Sequence, residues 1–111
     1  MLRDQPAQRH EPFDPSQSKV TAPSVLFAPE PVYNPYARAA RLSGNSLIYL
    51  QIDRDGQPIN VRILRPLGLG LDESAVTAVR SYRFKPAMEN GGPVVVEMNV
   101  EVNFQIFDRP N

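Results

Sequence analysis

Three short stretches carry residues able to do chemistry. Asp53-Arg54-Asp55-Gly56 opens like a calcium loop. A loop of that kind closes on a bidentate Glu at its twelfth position, and here Leu64 stands there. As an acid/base pair the same two carboxylates sit at a solvated turn, with nothing apolar to raise either pKa. Gly68-Leu69-Gly70 precedes a helix, yet it lacks the third Gly and the Lys of a phosphate loop. Arg80, Arg83 and Lys85 form a small cationic cluster suited to the end of a helix or to a partner's carboxylate.

What is missing narrows the field further. The only His is His10, in a polar, Pro-rich stretch, and there is no Cys. A His-based triad, a thiol nucleophile and a Cys or His metal cluster therefore cannot be built. The expectation is a binding module with no enzymatic activity and no cofactor. The 12 Lys and Arg balance the 12 Asp and Glu, so no bulk field favours nucleic acid or an anionic membrane.

The elements that would position a binding surface follow from periodicity. Seven of the 12 prolines fall in the first 35 residues. Residues 1–30 read as a largely flexible Pro-rich linker, most clearly over 1–22. Within it Val25-Leu26-Phe27-Ala28 is an apolar island that could dock on the domain as an extended segment. The folded domain is expected over 31–108. Asn34-Pro35 opens a short helix that Gly44 ends. Residues 47–53 alternate as a strand, and Asp53 to Gly56 turn the chain into a second strand over 59–65. Asp72 is a suitable N-cap for a helix in which Leu71, Ala75, Val79 and Tyr82 follow helical spacing, with Ala78 adjoining. Residues 90–93 form a loop.

The last strand has the clearest pattern. Val94, Val96, Met98, Val100, Val102, Phe104 and Ile106 share one face. Glu97, Asn99, Glu101, Asn103 and Gln105 share the other. The fold class is α+β: a three-stranded antiparallel sheet of split βαβ type, one main helix packed on one face, and a short N-terminal helix. The first strand is central and the other two are edges. A right-handed crossover carries the helix over the sheet. An edge strand this long exposes unpaired backbone groups. Either the 25–27 segment or a second subunit covers it, or a peptide ligand adds to it as a further strand.

Several motifs, in order, resemble the C-terminal domain of TonB-family energy transducers over about residues 30–107. Tyr33-Asn34-Pro35-Tyr36-Ala37-Arg38, followed by Gly44, is similar to the family's opening. Ile52-Asp53-x-x-Gly56 matches its hairpin. Gly70-Leu71-Asp72-Glu73-Ser74-Ala75-Val76 resembles its helix start, and Tyr82-Arg83-Phe84-Lys85-Pro86-Ala87 its Trp-Arg-Phe-x-Pro-Ala segment. Asn90-Gly91, Pro93-Val94 and Val100-x-Val102-x-Phe104 complete the match. Three departures stand out: Pro35 is displaced by one position, Tyr82 replaces Trp, and Ser74 replaces Ala.

The resemblance implies a periplasmic domain of a bacterial inner-membrane protein whose anchor lies upstream of Met1. It implies coupling to the ExbB–ExbD motor and capture of the N-terminal TonB box of outer-membrane receptors by β-strand addition. The partner-binding edge would be Val94, Val95, Val96, Glu97, Met98, Asn99, Val100, Glu101, Val102, Asn103 and Phe104. Tyr33, Arg38, Arg80 and Arg83 would flank it. A homodimer capping the same edge would compete with ligand. The alternative is a TonB-like dimerising or envelope-binding domain of a sensor or scaffold protein with no transport role.

Overall fold

The computed structural model describes residues 20–106. In chain order the elements are β1 (Val20–Thr21), β2 (Ser24–Phe27), α1 (Pro35–Ala39), β3 (Gly44–Ile52), β4 (Pro58–Arg65), α2 (Leu71–Arg80), β5 (Arg83–Lys85), β6 (Ala87–Glu89), β7 (Gly92–Val94) and β8 (Val96–Phe104). His10 and Pro110 lie outside the described residues.

β3 is the centre of the main sheet, whose order is β4-β3-β8, antiparallel throughout. Its alternation has the expected consequence. Ile48, Leu50 and Ile52 are fully buried on one face, and Tyr49 and Gln51 lie on the other. Leu71, Ala75 and Val79 of α2 cover the buried face, joined by Phe84, Val102, Phe104 and Ala37. Removing a side chain such as Leu50 from water is worth roughly 1.5–3 kcal/mol. Three such residues make β3 the best-anchored strand.

The β3–β4 turn is held by Asp53. Its N–H donates to the Gln57 carbonyl at 2.9 Å, and its carboxylate accepts from the N–H groups of Asp55 and Gln57. Gly56 follows at φ 82° and is buried against β5, where the Phe84 N–H donates to its carbonyl at 2.9 Å. Of the two acids at this tip, the Asp53 carboxylate organises the turn and Asp55 contributes its backbone N–H.

Asn34 caps α1. Its Oδ1 accepts from the Ala37 N–H at 2.8 Å, and its Nδ2 donates to the Leu69 carbonyl at 2.7 Å. The helix ends earlier than Gly44. Arg41, at φ 57°, takes the left-handed position, and the Leu42 N–H closes back on the Ala37 carbonyl at 2.9 Å. Gly44 instead opens β3.

Asp72 departs from its expected role. The N-cap of α2 is Gly70, and Asp72 is the second residue of the helix, buried. Its carboxylate accepts from the N–H groups of Leu67 (2.8 Å) and Gly68 (2.9 Å) and from Ser46 Oγ (2.6 Å). It thus ties the loop before the helix to β3 in addition to meeting its own N–H.

Two small sheets were not expected. β2 pairs with β5, and β1-β6-β7 form a separate three-stranded sheet. Residues 20–27, inside the stretch read as linker, therefore contribute paired strands. The 25–27 segment docks on β5 and not on β8. Residues 90–93 are not all loop, since Gly92 and Pro93 begin β7. Asn90 (φ 53°) and Gly91 (φ 88°) make the two-residue turn that joins β6 to β7.

Candidate functional site

The two borders of the main sheet differ. β4 begins with Pro58, which has no N–H to offer. Its pairing to β3 slips twice, once between Ile63 and Arg65 and once between Ile59 and Arg62, where Asn60 sits at φ 53°. Bulges and Pro are standard obstacles to strand addition. β8 has neither: its register to β3 runs unbroken over nine pairs, Ile52↔Val96 to Gly44↔Phe104. No described strand pairs with its outer side.

Which amides face outward follows from the turn. The Asp53 N–H points to the β4 side, because it bonds Gln57. Backbone direction alternates along a strand. Ile52, Leu50, Ile48 and Ser46 consequently face β8, bonding Val96, Met98, Val100 and Val102. Glu97, Asn99, Glu101 and Asn103 then turn their N–H and C=O groups to the unpaired side.

Side chains leave that side clear. Charged side chains such as Glu97 and Glu101 guard an edge when they point outward along it. Both are drawn inward over the sheet. Tyr49 Oη donates to Glu97 Oε1 at 2.7 Å, and the Arg62 guanidinium stacks 4.4 Å from the Tyr49 ring centre. That hydrogen bond, with a smaller part from desolvation and the carboxylate's charge, raises the Tyr49 pKa above its ordinary value. Arg65 Nη2 lies 3.6 Å from Glu101 Oε2, reaching across β3. On the opposite face Val96, Met98 and Val100 are only half-buried, whereas Val102 and Phe104 are buried.

The far end of β8 runs into a groove of about 620 Å³ between Ala28–Pro31 and residues 101–105. Tyr33, Arg38 and Tyr82 line it as well. Tyr33 is held on three sides. Its hydroxyl donates to the Leu42 carbonyl, its ring meets Phe104 edge-on at 5.5 Å, and Arg38 stacks on it at 4.6 Å. Burial raises the Tyr82 pKa.

The family model for the Gram-negative bacterial TonB protein C-terminal matches residues 29–106. The chain belongs to the TonB C-terminal family. Protein TonB of Vibrio cholerae serotype O1 is 25% identical over 107 residues, which cover 89% of this chain and 44% of that protein. The chain thus spans less than half the length of that relative. The solution NMR structure of the Pseudomonas aeruginosa TonB C-terminal domain superposes with a TM-score of 0.67 at 23% identity, over 81% of this chain and 92% of the other. That likeness establishes the TonB fold. No described helix is long and apolar enough to cross a membrane.

Against this TonB-family fold the expected edge residues divide. Residues 96–104 form β8, but Val94 pairs with Ala87 in the small sheet, and Val95, 47% exposed, bridges the two. The strand is shorter than expected because the chain changes partner at Val95 while the apolar alternation continues. Tyr33 and Arg38 sit beside the end of β8. Arg80 does not; it lies on the α2–β4 side. Arg83 Nη1 donates to the carbonyls of Arg80 (3.2 Å) and Tyr82 (2.7 Å), closing the end of α2. Tyr82 and the Pro29–Pro31 segment were not anticipated at the site, since Tyr82 reads as one more residue on the apolar helical stripe.

Proposed function

We propose that this domain captures an extended peptide by adding it to the outer border of β8. In that role it would be the periplasmic receptor-binding part of a TonB-type energy transducer. Its ligand is the N-terminal TonB box of outer-membrane receptors. An inner-membrane anchor upstream would link it to the ExbB–ExbD motor, so that proton-motive force drives import. The observation that carries the reading is the contrast between borders. β8 offers regular, unobstructed amides at 97, 99, 101 and 103, and β4 is blunted by Pro58 and two register slips.

Main-chain pairing explains how one domain serves many receptors. Each bond contributes about 1 kcal/mol net and reads little sequence. Arg38 is the better source of salt-dependent contact to the receptor face, because the Arg83 guanidinium is spent on carbonyls. The test is titration with receptor N-terminal peptides while amide resonances are followed. Saturable shifts at Glu97, Asn99, Glu101 and Asn103 are expected. Asn99→Pro removes one outward N–H without touching the β3 ladder, and should weaken binding at least about fivefold in a folded domain. Undiminished binding by that folded variant, or silence at those amides, defeats the proposal.

A further inference from the structure

α2 turns a second surface to solvent, away from β8. Glu73, Val76, Thr77 and Arg80 share one stripe of the helix, at spacings of three, four and seven residues. With Val61 and Ile63 of β4 they line an open groove of about 420 Å³. The apolar part is thinly covered: Ile63 is 39% exposed. Neither the Glu73 carboxylate nor the Arg80 guanidinium has an ion-pair or side-chain hydrogen-bond partner among the described residues.

The order of these residues is self-complementary. An acid stands at one end of the stripe and a base at the other, with the midpoint between Val76 and Thr77. Laid antiparallel on a second copy of itself, the stripe sets Glu73 against the other copy's Arg80 and the reverse, with Val76 beside Thr77 at the axis. A two-fold interface requires this arrangement: a surface patch that is its own partner. We propose that a second copy of this chain docks here, α2 against α2, in a dimer that leaves both β8 borders free. The half-exposed Val61 and Ile63 supply the apolar contact. The two charge pairs set the register, and their exposure keeps the association weak and sensitive to salt.

This dimer differs from one capping β8. It would bind peptide on both subunits, whereas an edge-capping dimer would dissociate as peptide bound.

Charge reversal separates the possibilities. Glu73→Arg places two cations on the stripe, and Arg80→Glu places two anions. Each variant alone should lose about tenfold in self-association by sedimentation equilibrium, because two exposed attractions, each small, become two repulsions. An equimolar mixture should recover it as a heterodimer, because every Arg then meets a Glu. Circular dichroism melting of each variant checks that it is folded. If one variant fails to fold, Thr77→Cys gives a second readout. The chain has no native Cys, so mild oxidation should link two copies at the axis, and faster than it links Asn99→Cys. A monomer at every concentration, a mixture no stronger than its components, or preferential linkage through Asn99→Cys would each overturn the proposal. Addition of β8-binding peptide should leave the dimer intact, and dissociation by peptide would also count against it.

Discussion

Asp72 shows how much a single carboxylate can hold. Burial on its own would push its pKa up. Hydrogen bonds from Ser46, Leu67, Gly68 and its own N–H outweigh that and hold the pKa below the ordinary Asp value. The carboxylate's contribution to stability is therefore complete above about pH 4, near the unfolded pKa, and is lost as pH falls through the lower native value. Denaturant midpoints measured from pH 7 down to 2 should decline in that acid range, and Asp72→Asn should flatten part of the decline. Asp72→Ala leaves two amides and a hydroxyl without their acceptor and should cost about 3 kcal/mol by chemical denaturation. The sequence shows an acid in the first turn of a helix, which suggests a cap. Its real partner, Ser46, is on β3, far along the chain, so only the tertiary arrangement reveals the role. Gly56 is the reverse case. Its turn is readable from Asp53-x-x-Gly56, but the reason no other residue fits is not. A Cβ there would lie 1.8 Å from the Phe84 carbonyl oxygen. Gly56→Ala should fail to fold or lose several kcal/mol, seen as a collapse of the thermal transition.

At the level of elements, alternation is legible where one face is buried and the other is wet. β3, α2 and most of β8 are therefore apparent from the pattern, as is the central place of β3; β4 alternates as well, although none of its residues is buried. Partner changes are not legible, because Val94 and Val96 stay in phase while moving from one sheet to another. The slips in β4 escape notice for a related reason. Asn60 takes φ 53° and donates its amide to Gln51, a local choice that periodicity does not record. Most of the candidate site is likewise invisible: the pattern marks a long edge strand but not the inward pull of Tyr49 and Arg65 on its guarding acids. β2 was ambiguous for good cause. Val25, Leu26 and Phe27 are 56%, 68% and 56% exposed even when paired to β5. Removing residues 1–27 should therefore lower the melting temperature by only a few degrees, since β2 buries little apolar area. A loss of cooperative melting would show that the strap is part of the core.

For the molecule as a whole, charge balance limits what long-range fields can do. Lys and Arg equal Asp and Glu in number. The proposed pairing at β8 is a main-chain event, so affinity for an uncharged receptor-derived peptide should change by less than about threefold between 50 and 500 mM NaCl. A steep salt slope would mean that side-chain ion pairs, not backbone bonds, dominate capture. The contrast with α2 self-association, which should weaken over the same range, gives the two surfaces separate signatures.

The described residues span 63 × 23 × 21 Å, so the domain is long for its mass. β1 and β2 hold two and four residues to β6 and β5, whereas β8 is held to β3 along nine. Tension entering at residue 20 meets the weak grips first and in sequence. Peeling the chain as far as α1 releases about 15 residues, up to roughly 50 Å of contour at full stretch. A tug from that direction is thus absorbed as slack before it reaches the β3–β8 ladder. Optical-trap records with handles at residue 20 and on a captured peptide should show a low-force lengthening that precedes any rupture.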